Sequence, residues 1–553
     1  FPFLDSFISF ILPTKLKIKL IYHYCVRLLT LPLICFKCIT RFIAILQIRL
    51  SLKPKIFIWI SEDLTEYCTS YYLQKIFDAE FYAIIDITNR PKKFFQEQKL
   101  VQFKKIWFYH DFMNQKIKSV PNYLKSFEEK YDIDLWQLAK NDRIFIYDYN
   151  NFYKFSEHEI SEIMEKECKL FEEVLDQVKP DFFITTETAL RPHHLFYLLC
   201  KKKGIKVLML NLANWGNYCY ISENYHRINN FEEIFKNKKS LSTTFNDLKN
   251  RLESKIISKK HTKFYQDQMK SQFERMKAAF QLLILSDNSN EKTHYTYYGR
   301  KKLKVLFKEI QYSLKRRYRE KYIDKNFLRQ IPNDLSFIFL PLQQEPERSL
   351  LIGAPDYINQ IKTVEYVSKC IPKNYLLFVK EHPTQGPGRG WRKISDYQAM
   401  QNNPKVKLIH PSVPANEIIA KSKLVISVSG TISLESAFFN KPSITLVEND
   451  YTLIPSISRL KSKNELRELI KNSLGKKVDP NYVGKYFDIL EENSFVFDLL
   501  GFQDSYLKHF YFDGNLVDVE ISESQMKEFL INEKQKIENL VQEFKKKILV
   551  NIL

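Results

Sequence analysis

The stretch "LFVKEHPTQGPGRGWRKISDY" (377–397) brings together side chains suited to hold an anion. An apolar strand ends at Lys380, and His382 follows it, where Pro383 prevents the strand from continuing. A histidine placed there can donate to a phosphate oxygen or protonate a leaving group near neutral pH. The loop beyond adds two arginines and three of the chain's 12 glycines, at Gly386, Gly388, Arg389, Gly390 and Arg392. We expect the glycines to let this loop pass close to a ligand.

A second His-Pro pair weakens the argument from the dipeptide alone. It stands in "LIHP" (408–411), again at the end of a predicted strand. The sequence therefore leaves open that at least one copy is structural, with a histidine that only hydrogen-bonds its own loop.

The stretch "ISVSGTISLESA" (426–437) predicts a second anion contact. An apolar strand ends near Ser429, Gly430 permits a tight turn, and a helix begins near Thr431. Free amides at a helix start, with hydroxyls beside them, suit a phosphate. Glu435, one turn along, could accept hydrogen bonds from ribose hydroxyls. An ordinary strand–turn–helix with hydroxyl capping would look the same, so the pattern carries weight only together with His382.

Alternating elements must position these residues. In the first half, apolar strands alternate with helical stretches, and a long amphipathic helix over 156–179 has Ser156 as its N-cap. The predicted strands lie at 55–64, 81–88, 104–112, 143–149, 181–187 and 205–211. Apolar strands separated by helices predict a parallel sheet covered on both faces.

A second alternating block begins at 335, after a charged and helical stretch. That stretch is interpreted as a helical insertion, because its apolar positions sustain no heptad for the alternative, a coiled-coil arm. The predicted organisation is membrane-proximal basic helices at 1–50, an N-terminal Rossmann-like acceptor domain at 51–228, a helical linker at 229–333, a nucleotide-sugar-binding Rossmann-like domain at 334–475 and a helical tail at 476–553. Two such α/β domains facing each other make a cleft, with ligands beyond the carboxyl ends of the strands.

Composition limits the class of protein. The formal net charge is +21, but the basic residues form no stripe with aromatics. This favours lysines spread over solvated helix faces, with some attraction to an anionic membrane or a phosphate-bearing substrate, over nucleic-acid binding. Eight sparse cysteines suit a reducing cytoplasm and buried thiols. Residues 28–46 are apolar but interrupted by Lys37 and Arg41, so an interfacial helix and a helix packed on the protein are both open.

Several stretches together resemble bacterial capsule and surface-polysaccharide biosynthesis proteins. These are "PLQQEPE" (341–347), "GAPDYINQIKTVEYVSKCIP" (353–372), "FVKEHP" (378–383), "NPKVKLIHP" (403–411), "VISVSGTISLESAFFNKPSI" (425–444) and "YTLIPSISRL" (451–460). The resemblance is to GT-B-fold glycosyltransferases related to the capsular Kdo transferases. It covers about 335–475 well, and the first half in pattern alone.

The resemblance implies roles for residues that match the motifs. His382, Ser429 and Thr431 would contact the donor phosphate, and Glu435 the ribose. Lys380, Pro383, Gly430, Arg389 and Arg392 complete the predicted donor site. Inversion in that group uses a carboxylate base of the N-terminal domain and no metal.

The chain has no clear acidic-acidic-glycine motif for this base. Its nearest acids are Glu62-Asp63 and Glu187, at predicted strand ends, and we take Asp63 and Glu187 as catalytic candidates. Glu187 is preferred, because Arg191 and His194 follow it on a helix where an acceptor anion could dock.

The predicted function is metal-independent, inverting transfer of a sugar from a nucleotide-activated donor, with a CMP-linked sugar as one candidate. The acceptor would be a surface polysaccharide or lipid-linked glycan at the inner face of the cytoplasmic membrane, and no cofactor is expected. The alternatives are a CDP-polyol phosphotransferase of the teichoic acid type, a non-catalytic scaffold of a capsule assembly complex and, more remotely, a nucleic-acid binder. A sugar-nucleotide 2-epimerase shares the fold, but its paired acids are not found near the predicted phosphate-binding helix.

Overall fold

The structure is a computed structural model, and it describes residues 53–255, 272–284, 287–332 and 335–552. The chain divides into two compact units, one of residues 54–547 and one of residues 1–53 with 548–553. Everything below concerns the larger unit. The predicted helices at 1–50, with Cys25, Cys35 and Cys38, lie outside the described residues.

The first sheet has seven strands in the order β13-β6-β5-β4-β1-β2-β3. Strands β1 to β5 are parallel, whereas β6 runs antiparallel to β5 and β13 antiparallel to β6. The strands are β1 Lys55–Ile60, β2 Glu80–Ile85, β3 Phe103–Phe108, β4 Phe182–Thr185, β5 Lys206–Leu212, β6 Tyr218–Ser222 and β13 Phe495–Val496. Strands β1 and β4 are buried along nearly their whole length, as apolar strands between two layers of helices should be.

The second sheet has six strands, all parallel, in the order β12-β11-β10-β7-β8-β9. They are β7 Phe337–Pro341, β8 Leu376–Lys380, β9 Val406–Ile409, β10 Leu424–Ser427, β11 Ser443–Thr445 and β12 Ile457–Arg459. Two apolar clusters, one on each face, bury it. Both predicted Rossmann-like domains are therefore confirmed.

Helices cover both sheets and connect them. In chain order they are α1 Thr65–Ile76, α2 Asn89–Glu97, α3 Tyr109–Met113, α4 Tyr123–Tyr131, α5 Leu135–Lys140, α6 Glu157–Val178, α7 Arg191–Lys202, α8 Phe231–Asn237, α9 Phe245–Lys255, α10 Gln272–Ile284, α11 Ser289–Thr293, α12 Lys302–Asn326, α13 Arg348–Leu351, α14 Gln360–Cys370, α15 Gln385–Arg389, α16 Ile394–Gln401, α17 Ala415–Lys421, α18 Ile432–Phe438, α19 Leu466–Leu474, α20 Pro480–Glu492, α21 Leu499–Phe510 and α22 Glu523–Ile552. Helix α6 begins at the predicted cap, where Ser156 and Glu159 form a capping box.

The carboxyl ends of the two sheets face each other, in the GT-B-like arrangement that was predicted. Arg348, just beyond β7, donates from Nε to the carbonyl oxygen of Thr188, just beyond β4, at 3.1 Å. A cavity between the domains is lined from both sides, by Leu138, Asn141, Asp142, Arg143, Leu351 and Ile352 among others.

The helical stretch 229–333 divides between the two domains. Helices α8 and α9 pack through Phe231, Phe235 and Leu248 on the apolar cluster around α18 and α20. Further along the chain, the backbone N–H of Asn89 donates to Asn290 of α11 at 2.9 Å, so that helix lies against the N-terminal domain.

The C-terminal tail is helical as predicted, but it returns to the N-terminal domain. Strand β13 pairs with β6 through Phe495 and Cys219, and Gln503 donates to Asp63 at 2.8 Å. Periodicity could not show this, because β13 has two residues.

The strand predicted at 143–149 is wrong. Residues 143–149 form turns held by local bonds, in which Phe145 N and Ile146 N both donate to the carbonyl of Asp142 at 3.0 Å. The prediction relied on the apolar and aromatic composition of this stretch. A strand also needs a neighbouring strand to pair with, and residues 143–149 have none in the first sheet.

Candidate functional site

The two His-Pro turns have the same local geometry but different surroundings. In each, the backbone N–H two residues on donates to Nδ1: Thr384 to His382 at 3.3 Å and Ser412 to His410 at 3.2 Å. With Nδ1 an acceptor, the neutral ring carries its proton on Nε2. In His410 this Nε2 lies 3.0 Å from a carboxylate oxygen of Asp324. That pairing indicates a structural role for His410. His382 is kept as the candidate for anion contact because Thr384, which donates from its backbone to His382, also donates from its hydroxyl to Gln344 in the loop after β7.

A buried ion-pair network fixes the loop that carries His382. Arg392 Nε donates to Glu381 at 2.7 Å, and its Nη1 lies 2.6 Å from Glu345. Glu381 also accepts from Tyr397 at 3.0 Å. Arg392 thus ties the loop after β8 to the loop after β7, which favours a positioning role over the predicted donor contact. Arg389 is half-buried and pairs with Glu347 at 2.7 Å.

The glycines of this loop have a packing reason. A Cβ on Gly386 would lie 2.1 Å from the Trp391 ring, and one on Gly390, whose φ is +70°, 2.7 Å from Tyr312 of α12. Arg319 of the same helix donates to the carbonyl of Gly390 at 3.1 Å. At these two positions the close approach is to the protein's own aromatic rings rather than to a ligand. Pro383 is exposed beside them.

Lys380 is a buried cation at the end of β8. The residue is 5% exposed, and in the part of the chain that the structure describes no hydrogen bond or ion pair is found for its ammonium group. Burial lowers its pKa from 10.5 to about 8. Because side chains alternate along a strand, Lys380 lies on the same face as Phe378, the face covered by α17 and α18. A buried ammonium group without a carboxylate partner suits an anionic ligand.

The turn between β10 and α18 holds the residues predicted to bind phosphate. Ser429 Oγ is buried and has no hydrogen-bond partner among the described atoms. Thr431 Oγ1 instead donates to Glu435 at 2.8 Å, and burial raises the pKa of Glu435 above its ordinary value. In this structure, therefore, Thr431 and Glu435 satisfy each other, while Ser429 is available to a ligand.

Two glutamines that sequence reasoning missed lie at the same sheet edge. A Cβ on Gly430 would lie 3.0 Å from Gln343 Nε2. Gln344 Oε1 accepts from Thr384 at 2.6 Å, and its buried Nε2 has no partner among the described atoms. A signal was present in "PLQQEPE", where polar residues directly follow a buried strand.

Both sheets place their candidate residues where the strand order reverses. In the second sheet β7 lies between β8 and β10. Of the residues that follow β7, Gln343 lies beside Gly430 of the turn after β10, and Gln344 beside Thr384 of the loop after β8. In the first sheet β1 lies between β2 and β4, and the loops after β1 and β4 carry Glu62 and Glu187. Crevices at such points are the usual ligand sites of open α/β sheets.

Glu187 lies at the contact between the domains. Its side chain is exposed to the cleft yet surrounded by protein, and this desolvation raises its pKa, while the Arg348 guanidinium and a hydrogen bond from Tyr225 lower it. Arg348 itself is buried, and its guanidinium stacks 3.6 Å above the Tyr225 ring. Glu187 therefore already has a cationic neighbour.

Arg191 and His194 are buried within the N-terminal domain. The Arg191 guanidinium pairs with Asp142 at 2.6 Å and also with Glu167. His194 Nδ1 lies 2.9 Å from Thr188 Oγ1, and burial lowers its pKa to about 3. These placements favour structural roles over the predicted docking of an acceptor anion, because a buried ion pair is costly to open.

Of the two acids after β1, Asp63 accepts hydrogen bonds from other residues, whereas none is found for the Glu62 carboxylate among the described residues. Asp63 accepts from the backbone of Thr65 at 2.9 Å and from Gln503 at 2.8 Å. For the half-buried Glu62 carboxylate, no ion pair within 4.0 Å and no hydrogen bond to another residue is found in the described chain. Burial, and then the nearby Asp86 carboxylate, raise the pKa of Glu62 to about 7.

The acidic residues do not form a metal centre in the described part of the chain. There, no three His, Cys, Asp or Glu side chains are grouped so as to hold a metal ion. The five described cysteines are free, and Cys68, Cys168, Cys200 and Cys219 are buried. No helix among the described residues is long and apolar enough to span a membrane.

Comparison with known families gives one match. The family model of capsule polysaccharide biosynthesis proteins matches residues 239–458, which confirms the resemblance indicated by the motifs. None of the curated proteins matches the chain.

Among solved structures, the chain is similar to UDP-GlcNAc 2-epimerase from Methanocaldococcus jannaschii, with 13% identity, 80% of this chain and 99% of that chain covered, and a TM-score of 0.23. It is also similar to Thermosulfurimonas dismutans KpsC, a beta Kdo 2,7 transferase, with 13% identity, coverages of 65% and 97%, and a TM-score of 0.25. The chain is also similar to Anabaena HepE, solved with UDP and glucose, with 11% identity, 82% of this chain and 98% of that chain covered, and a TM-score of 0.22.

Proposed function

We propose that this chain is a glycosyltransferase that moves a sugar from a nucleotide-activated donor to a surface polysaccharide or lipid-linked glycan. The observation that carries the proposal is Lys380, a buried ammonium group for which the described residues supply no counter-charge. At the same sheet edge are the orphaned groups of Gln344 and Ser429. Together with the match to capsule polysaccharide biosynthesis proteins, this supports a site for the phosphate of an activated sugar.

The donor phosphate would lie between the loops after β7, β8 and β10. Lys380 supplies positive charge, Ser429 Oγ and Gln344 Nε2 donate hydrogen bonds, and His382 donates from Nε2. Preorganised donors of this kind stabilise the negative charge that develops on a departing phosphate. Arg392 acts indirectly, by holding Glu381 and Glu345 and with them both loops. Glu435 would contact the ribose, as the resemblance implies.

For the base we propose Glu62, in place of Asp63 and Glu187. Asp63 already accepts two hydrogen bonds, and Glu187 lies beside Arg348. Glu62 has a pKa of about 7, which suits a base working near neutral pH. The Arg143 guanidinium lowers the pKa of both Glu62 and Glu187, so both carboxylates lie on the same side of the cleft.

The transfer then proceeds in one displacement. The acceptor hydroxyl gives its proton to the Glu62 carboxylate, and its oxygen forms a bond to the anomeric carbon of the donor. The bond from that carbon to the phosphate oxygen breaks, and its electron pair leaves with the nucleotide, whose charge Lys380 and His382 stabilise. A single displacement inverts the anomeric centre. The scheme needs neither metal nor cofactor, and we place it at the cytoplasmic face of the membrane.

Nucleotide binding tests the proposal. The thermal unfolding midpoint is measured with CMP, CDP, UDP and GDP, for the wild type and for His382→Ala. We expect one nucleotide to raise the midpoint of the wild type, and His382→Ala to reduce that rise relative to its own ligand-free midpoint. Stabilisation by CMP alone would assign a Kdo-type or sialic-acid-type donor, and preference for UDP or GDP a diphospho-sugar.

His410→Ala is the matched control, because His410 occupies the same turn but pairs with Asp324. It should lower the ligand-free midpoint and leave the nucleotide-induced rise unchanged. No rise with any nucleotide would overturn the proposal in favour of a scaffold. Release of a polyol phosphate from a CDP-polyol, with activated sugars left intact, would favour the phosphotransferase.

A further inference from the structure

Helices α10 and α12 expose a row of large apolar side chains. They pack against each other, and nine of their large apolar residues are between 44% and 75% exposed: Met276, Phe280, Leu283, Ile284, Leu303, Phe307, Ile310, Leu314 and Tyr318. At about 100° per residue, the five in α12 fall within an arc of roughly 80°, so they form one face. Contiguous exposed apolar surface of this kind marks an interaction site.

This apolar face is bordered by positive charge. Helices α10 and α12 contain eleven lysines and arginines but four acidic residues. Lys304, Lys315, Arg317 and Lys321 are exposed on α12 among the apolar residues. A groove between the helices is lined by Arg275, Glu309, Ile310, Ser313, Leu314 and Arg317. The surface thus combines apolar bodies with cationic ends.

We infer that this face, made of the exposed apolar residues of α10 and α12, docks on an anionic lipid surface. Apolar side chains bordered by lysine and arginine suit a layer of anionic headgroups, where the apolar parts enter the acyl boundary and the charges stay at the phosphates. A second copy of the chain fits less well, because it would bring two basic helices together, and the centres of protein interfaces are depleted of charge.

The opposite side of α12 holds the loop of the candidate nucleotide site. Tyr312 contacts Gly390, and Arg319 donates to the carbonyls of Gly390 and Trp391 at 3.1 and 2.7 Å. Since a helix with its side chains is about 10 Å thick, docking would hold that loop about one helix diameter from the headgroups. The inference itself stands on exposure and charge, and does not depend on the proposed function.

Sedimentation with vesicles tests the inference on the full chain. Vesicles of phosphatidylcholine with one quarter phosphatidylglycerol are compared with pure phosphatidylcholine. The triple variant Phe307→Ser, Ile310→Ser, Leu314→Ser should bind the anionic vesicles about 100-fold more weakly than the wild type. The control triple Val120→Ser, Tyr147→Ser, Ile531→Ser, also at exposed positions, should bind as the wild type does.

A second measurement locates the contact, whichever other segment also touches lipid. Tryptophan is introduced by Phe307→Trp or, as control, by Ile531→Trp, and its fluorescence is read with vesicles of bromine-labelled acyl chains. We expect additional quenching for Phe307→Trp but not for Ile531→Trp. Equal quenching of the two, or unchanged vesicle binding by the triple variant, would overturn the inference. So would a dimer that the triple variant dissociates while vesicle binding persists, an outcome that assigns the face to a second copy.

Discussion

At the scale of single residues, Lys380 is the position where binding and stability oppose each other. Its ammonium group is buried at the end of β8, and burial lowers its pKa from 10.5 to about 8. The folded chain therefore loses this proton before the unfolded chain does, so the cost of burying the charge is full below pH 8 and fades as pH rises toward 10.5. Such a cost is retained where a ligand later supplies the opposite charge.

Replacing Lys380 by methionine should make the ligand-free protein more stable. At pH 7 we expect Lys380→Met to raise the free energy of unfolding by about 3 kcal/mol, the equivalent of the pKa shift, and to abolish nucleotide binding. Urea unfolding at pH 7 and at pH 10 measures it, and the gain should be smaller at pH 10. Lys373→Met, at an exposed lysine, should change neither quantity. A destabilised Lys380→Met would contradict the account of Lys380 as a strained cation.

Nucleotide affinity should fall as pH rises through about 8, because Lys380 then loses the charge that attracts the phosphate. Isothermal titration of the nucleotide that binds best, between pH 7 and 9.5, gives the profile. Lys380→Arg keeps its charge over this range and should remove the fall. A fall that persists in Lys380→Arg would assign the pH dependence to another group.

Turnover should depend on Glu62 with the opposite sign. A base must be deprotonated, so kcat/KM should rise as pH passes through about 7, which is the pKa of Glu62. The nearby Asp86 carboxylate contributes to this raised pKa. Glu62→Gln should lower kcat by about 100-fold or more and leave nucleotide binding unchanged. Glu187→Gln should have the smaller effect on kcat, and the reverse order would return the role of base to Glu187.

At the scale of elements, the loop after β8 shows how packing dictates glycine. Short helix α15 turns back on Trp391, and Gly390 ends it in the left-handed region with φ at +70°. The Trp391 ring occupies the space that a Cβ on Gly386 would fill. Small residues there let the loop fold onto itself and onto α12.

Gly386→Ala should therefore destabilise the protein by about 2–3 kcal/mol, since the Cβ would meet a tryptophan ring. Thermal or urea unfolding measures the loss, and nucleotide affinity should fall with it because the loop carries His382. Gly475→Ala is the matched control, with nothing within 4 Å of its Cβ. It should be neutral or slightly stabilising.

At the scale of the whole molecule, Arg348 links the two sheets. It is buried, it donates to Thr188, and it stacks on Tyr225 while facing Glu187. Its pKa is lowered by burial. Arg348 is therefore one of the contacts that set the spacing between the candidate donor site and the carboxylates opposite.

Arg348→Met should cost about 3 kcal/mol of unfolding free energy, because the Thr188 carbonyl and Glu187 lose their buried partner. It should also reduce turnover more than nucleotide binding, since the donor loops remain intact. Urea unfolding and steady-state kinetics measure the two effects. Arg329→Met, which removes an exposed pair with Asp324, should cost less than about 1 kcal/mol.

The sequence by itself determined the two α/β halves and where their strand ends lie. Strands such as β1 and β8 are short, continuous apolar segments bounded by turn residues. Such segments can be recognised from the sequence because hydrophobic periodicity and composition depend on neighbouring residues alone. The same locality allowed His382, Lys380 and the Ser429–Thr431 turn to be found, because each follows a buried strand. The strand predicted at 143–149 failed because strand formation needs a partner that composition does not supply.

The sequence does not show which of these residues already have hydrogen-bond or ion-pair partners within the protein; the fold does. Arg191 and Arg392 stand in sequence contexts that predicted ligand contacts. In the folded chain, however, they form ion pairs with Glu167 and Glu381, which lie elsewhere in the sequence. His410 is paired with Asp324, and Asp63 accepts a hydrogen bond from Gln503 of the returning tail, so neither side chain is open to a ligand in this structure. Whether a charge is paired depends on residues far apart in the chain and on burial. The spacing of residues along the sequence shows neither their partners nor their burial. The absence of a charged partner at Lys380 and Glu62 among the described residues is therefore visible only in the folded molecule.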